Sequence, residues 1–146
     1  VPRASKDMQN IDQSKLRIFL LHWLPPIVYC VAIFIQSSLP GSERMPDIRF
    51  FDKLLHFLAY ALLGILFYRA YGTLPLRNNY KLLIFISILS TTLYGISDEI
   101  HQYFVPSRHA DIMDVIANTL GSICGVYLCY RWKGRKKSQS TGDSQR

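Results

Sequence analysis

The chain has 146 residues, 49% of them hydrophobic and 18% charged, with a formal net charge of +7. That length favours a single domain, and nine Tyr, eight Phe and two Trp exclude a chain disordered throughout. Both ends are polar and basic, so the middle is far more apolar than the mean hydropathy of +0.11 indicates, which excludes an ordinary water-soluble domain.

Residues 1–15 read as a polar N-terminal tail, with Val1-Pro2-Arg3 set aside as a processing scar. A helix needs about 20 mostly apolar residues to cross the hydrocarbon core of a bilayer. Ile18 to Ile35 is the first such segment. A cleaved signal peptide would be shorter and would end in small residues, and it would not carry Pro25-Pro26, which predicts a kink inside a membrane helix. His22 has no partner in sight and reads as structural. After a loop over residues 37–51 comes Leu54 to Tyr71, then a turn over residues 72–80, then Leu82 to Ile96. A second loop over residues 101–111 leads to the fourth segment, Ile112 to Trp132. The remainder, residues 133–146, is basic and expected to be disordered. Cys30, Cys124 and Cys129 sit in apolar runs without metal-ligand spacing and read as small hydrophobes.

The sequence therefore predicts an all-α polytopic membrane protein, with one domain of four transmembrane helices over residues 16–132. With both termini cytoplasmic, thirteen Lys and Arg fall inside and four outside, the positive-inside pattern of a multi-pass protein of the bacterial cytoplasmic membrane. The cluster from Lys133 to Lys137 follows an apolar span directly, so membrane lipid is the expected partner of the basic charge and nucleic acid is not. Seven of the ten acidic residues fall on the opposite, outer side. Chemistry is expected there.

Three polar clusters meet at that outer boundary. Asp52, His56 and Tyr60 are spaced four residues apart and share one helical stripe. Asp98, Glu99, His101 and Gln102 stand where the third segment ends. Arg108 precedes a descending series of Asp111, Asp114 and Asn118 on the fourth segment. Asp52 and Asp111 also suit capping of an outward-facing helix N-terminus, and Tyr60 suits an interfacial aromatic belt. Asp98 and Glu99 stand at a helix C-terminus, where the dipole repels them, so they need a cation such as Arg108, Lys53, a protonated histidine or a metal. Asp114 and Asn118 descend into a zone where an unpaired charge costs on the order of a few kcal/mol or more, so ionisable groups there normally face a bundle interior or a wet cavity. Gly121 and Gly125 form a G-x-x-x-G, which suits close packing inside the bundle or a homodimer contact.

These residues carry a family resemblance. The runs Asp52-Lys53-Leu54-Leu55-His56-Phe57 with Tyr60, Tyr94 to Phe104 with its Asp98-Glu99-x-His101-Gln102 block, and Val105-Pro106-Ser107-Arg108 followed by Asp111, Asp114 and Asn118-Thr119-Leu120-Gly121 resemble the VanZ-like family of small bacterial membrane proteins. Ser107 stands where that family more often has Gly. The resemblance implies a link to resistance against teicoplanin, a lipid-tailed glycopeptide.

Three readings fit the same groups: an envelope enzyme, a non-catalytic binding or transport module, and a purely structural, salt-bridged plug that holds the four helices in register. In an envelope enzyme, His56, Asp98, Glu99, His101, Arg108 and Asp114 would act on a lipid-linked or lipid-like substrate. A histidine would be base or nucleophile and Arg108 would pair with a phosphate or carboxylate. Asp52, Lys53, Tyr60, Gln102, Asp111 and Asn118 would bind that substrate. Phosphoryl transfer, acyl transfer and hydrolysis are all compatible, and a divalent metal on Asp98, His101 and Asp114 is a variant. In a non-catalytic module, the cluster would bind or move a polar lipid head group or lipoglycopeptide.

Overall fold

The computed structural model describes residues 11–39, 49–106, 108 and 110–143. They form four helices long and apolar enough to cross a membrane, and no strand occurs among them. We call these α1 (Ile11–Ser38), α2 (Arg49–Tyr71), α3 (Tyr80–Tyr103) and α4 (Ile112–Asp143); a short 3-10 turn, Pro75–Asn78, joins α2 to α3.

Pro25 and Pro26 supply no N–H to the ladder of α1, yet the helix does not end at them. The turn before them, Phe19–Trp23, widens into a π-helix in which the Leu24 N–H reaches back to the Phe19 carbonyl. Most of α1 is apolar and outward-facing: Leu20, Leu21, Val28, Val31, Phe34 and Ile35 are all exposed, as suits lipid contact.

The α3 helix starts where the Asn79 side chain accepts the Leu82 N–H at 3.2 Å. It runs on past Ile96 to Tyr103, seven residues beyond the expected span, because Asp98, Glu99 and Gln102 are buried within the bundle and not released into a loop. Beyond residue 132, α4 continues to Asp143. Extending a formed helix needs no new nucleus, and Lys, Arg and Gln are good helix formers.

The most extensive contact in the bundle is between α2 and α4. Small residues make it possible: a Cβ at Gly121 would overlap the Phe57 carbonyl, and one at Gly125 would overlap the Ala61 carbonyl. Gly64 reciprocates from α2, where a Cβ would come within 3.1 Å of the Ser122 carbonyl oxygen. The G-x-x-x-G stripe is thus covered by α2 of the same chain, and a dimer contact through Gly121 and Gly125 would require a face already in use.

Two apolar clusters follow from this crossing. Tyr68, Leu83, Val126 and Cys129 pack in the half that carries the α2–α3 turn. Ile33, Tyr60 and Leu63 pack nearer the opposite end, where the C-termini of α1 and α3 meet the N-termini of α2 and α4. Cys30, Cys124 and Cys129 are free thiols within apolar surroundings, as expected. His22 lies in the first half, part-buried, with Nδ1 lacking a hydrogen-bond partner.

Candidate functional site

The second end of the bundle gathers the acidic residues. Asp52, His56 and Tyr60 ride one stripe of α2 and line a single cavity of about 250 Å³, with Asp98 and Gln102 from α3, Ile33, Gln36 and Ser37 from α1, and Arg108 from the loop. The i, i+4, i+8 spacing put the first three on one face, and the tight α2–α4 crossing turned that face inward.

Tyr60 is 1% exposed, not an interfacial belt residue. Its hydroxyl donates to Asp98 Oδ2 at 3.0 Å, and Gln102 Nε2 donates to the same oxygen at 3.3 Å while also reaching Ser37 Oγ at 3.3 Å. Gly95, one turn before Asp98 on α3, makes room for this arrangement. A Cβ there would stand 3.0 Å from the Tyr60 ring and 3.2 Å from the Asn118 side chain.

His56 is the hub of the neighbouring network. Its Nδ1 lies 3.1 Å from Asn118 Oδ1 and 3.8 Å from Glu99 Oε1, and its Nε2 lies 4.0 Å from Asp52 Oδ1. Glu99 Oε2 accepts the Asp111 N–H at 3.2 Å, tying the end of α3 to the start of α4. Asp111 caps α4 as expected, with Oδ1 accepting the Met113 N–H at 2.9 Å. Asp52 does not cap α2. It stands inside the first turn of a helix that begins at Arg49, with its side chain 57% exposed.

Lys53 bridges two carboxylates, Asp111 Oδ2 at 2.6 Å and Asp114 Oδ1 at 2.5 Å. Lys53 was one of the cations weighed for Asp98 and Glu99, but it pairs with α4 instead. Arg108 does not pair with them either: its Nε and one Nη donate to the carbonyls of Leu39 and Gln36 at 3.2 Å each, closing the C-terminus of α1. Asp98 and Glu99 are consequently buried without a Lys or Arg partner among the described residues. Each keeps one oxygen, Asp98 Oδ1 and Glu99 Oε1, free of any hydrogen bond.

His101 leaves the group. It packs on Phe34 with ring centroids 4.6 Å apart, and its Nε2 lies 3.0 Å from Ser38 Oγ, on the α1 side. The expected metal set of Asp98, His101 and Asp114 is therefore not assembled. Among the described residues, the His and acidic side chains whose ligand atoms do converge are Asp52, His56 and Asp114. Ser107 and His109 lie outside the described residues. Sequence reasoning missed the α1 contribution of Gln36, Ser37 and Ser38; the only hint was a Gln-Ser-Ser step closing an apolar run.

A second cavity, of about 310 Å³, opens on the other side of α3. Ile96, Ile100, Tyr103, Phe104, Ile112 and Val115 make it apolar, and Glu99 and Asp111 stand at its edge.

A family model described as VanZ/LLP1 matches residues 3–133, nearly the whole chain. The chain belongs to the VanZ/LLP1 family. No curated protein and no solved structure shows significant similarity to it. Within this VanZ/LLP1 chain, the three motif runs that carried the resemblance are the segments that supply the polar end of the bundle: α2 gives Asp52, His56 and Tyr60, α3 gives Asp98, Glu99 and Gln102, and the loop with α4 gives Arg108, Asp111, Asp114 and Asn118.

Proposed function

We propose that this VanZ/LLP1 protein acts, from the extracytoplasmic face of the bacterial cytoplasmic membrane, on a lipid-linked or lipid-like envelope substrate. One observation carries the reading: adjacent residues of α3 serve two unlike cavities. Asp98 lines the polar cavity with His56 and Arg108, while Glu99 stands at the edge of the apolar groove. A molecule with a polar head and an apolar tail matches that pair, because the tail needs no water and the head finds both acceptors and a guanidinium.

Within the polar cavity, Arg108 holds its loop against α1 through two nitrogens and keeps its other terminal nitrogen uncommitted among the described residues. A phosphate or carboxylate of the substrate would pair with it. His56, positioned by Asn118 and Glu99, would carry the polar chemistry of transfer or hydrolysis, and Asp98, held by Tyr60 and Gln102, would accept hydroxyl or amine donors of the head group.

The test is incubation of purified protein with envelope lipid extracts and mass spectrometry of the products. Turnover lost in Arg108→Ala and in His56→Ala, with both variants inserted and folded, supports an enzyme. Retention of lipid without turnover moves the assignment to the binding or transport alternative. Neither turnover nor retention would end the lipid-substrate reading. The implied link to resistance against lipid-tailed glycopeptides has its own readout: cells expressing the wild type should tolerate teicoplanin better than cells expressing Arg108→Ala.

A further inference from the structure

One gap in the polar network lies between α2 and α4. His56 Nδ1 lies 3.1 Å from Asn118 Oδ1. The other ring nitrogen, Nε2, faces Asp52 Oδ1 across 4.0 Å. An imidazole nitrogen and a carboxylate oxygen so placed can share one cation. Asp114 supplies a third donor from α4, and ligand atoms of Asp52, His56 and Asp114 all lie within 4.8 Å of one another. Lys53 engages Asp114 through Oδ1.

A separate observation points the same way. Glu99 is only 4% exposed, and its Oε1 has no hydrogen-bond partner, yet it stands 3.8 Å from the same imidazole. Burying a carboxylate oxygen without a donor is costly, and the cost falls when positive charge is placed beside it. Lys53 pairs with Asp111 and Asp114, and Arg108 donates to backbone carbonyls, so neither supplies that charge.

We infer that Asp52, His56 and Asp114 form a binding site for a divalent first-row metal ion such as Mn²⁺ or Zn²⁺. One imidazole with two carboxylates is a suitable ligand set for either ion. Metal–ligand bonds of about 2.0–2.2 Å require the donors to draw together by roughly 1 Å. Asp52 has the freedom to do so, being 57% exposed in the first turn of α2. Asp52 and His56 also line the polar cavity, so an ion held there has its open positions toward the cavity and can polarise a phosphoryl or carbonyl oxygen. The ion would join α2 to α4, the pair already in closest contact.

The inference stands apart from the lipid reading, because its test uses no lipid substrate. Protein purified in detergent and stripped with chelator is titrated with Mn²⁺ or Zn²⁺ by calorimetry, and Mn²⁺ is followed by electron paramagnetic resonance. One ion per chain is expected, with a higher melting temperature in its presence. Asp52→Asn, whose exposed side chain makes it safe for folding, should weaken binding about tenfold or more, and His56→Ala at least as much. His101→Ala should bind as the wild type does. Absence of saturable binding, binding unmoved by Asp52→Asn, or binding lost in His101→Ala would each overturn this ligand set.

Discussion

The two halves of the bundle differ in the buried groups they hold. In the half carrying the α2–α3 turn, two buried hydroxyls on α3 are satisfied by their own helix: Ser87 donates to the Leu83 carbonyl at 2.7 Å and Thr91 to the Ser87 carbonyl at 2.8 Å. Their neighbours are Tyr68, Leu83, Val126 and Cys129, an apolar core. Unpartnered polar atoms there, His22 Nδ1 and Thr92 Oγ1, belong to side chains without a carboxylate. At the other end stand all three buried carboxylates of the described residues, Asp98, Glu99 and Asp114; Asp114 pairs with Lys53, while Asp98 and Glu99 each keep one oxygen without a hydrogen bond. Local satisfaction costs little and secures a fold. Incomplete satisfaction between helices is tolerated where a ligand completes it.

That contrast can be broken or sharpened by substitution. The largest effect is expected at the crossing that both halves share: Gly121→Val drives a side chain into the Phe57 backbone and should cost about 3 kcal/mol, seen as loss of folded protein in detergent thermal melts. Lys53→Met comes next. It removes the cation from Asp114, whose side chain is 6% exposed, and from the more open Asp111, for about 2 kcal/mol; adding Asp114→Asn should recover part of the loss. Tyr60→Phe removes one donor from Asp98 and should cost about 1 kcal/mol in the same melts. Ser87→Ala, which removes a hydroxyl bonded within its own helix, should stay within about 0.5 kcal/mol. If Ser87→Ala proved as damaging as Tyr60→Phe, the two halves would not differ as described.

Much of this was legible before any coordinates. The four apolar runs marked the spans, and the four-residue steps of Asp52, His56 and Tyr60 and of Asp114 and Asn118 marked the faces that turn inward. Periodicity names a face but not its partner. Tyr60 suited a lipid interface equally well until Gly95 left space for its ring, and Lys53 suited Glu99 until the α2–α4 crossing placed it on Asp114. The contacts of Arg108 and His101 were hidden for a related reason. Both answer to α1, through the Leu39 and Gln36 carbonyls and through Phe34 and Ser38, and α1 carries few polar residues to announce such a contact. The span of α3 was underestimated because polar residues were read as a helix end, when the bundle interior was receiving them.

The central claim is that the acidic end is arranged for a ligand at some expense to stability. Glu99→Gln tests it most directly, because the amide keeps an acceptor for the Asp111 N–H and replaces the orphaned oxygen with a neutral donor. The account predicts an equal or higher melting temperature together with loss of envelope-lipid turnover or retention. A lower melting temperature with lipid handling intact would contradict it.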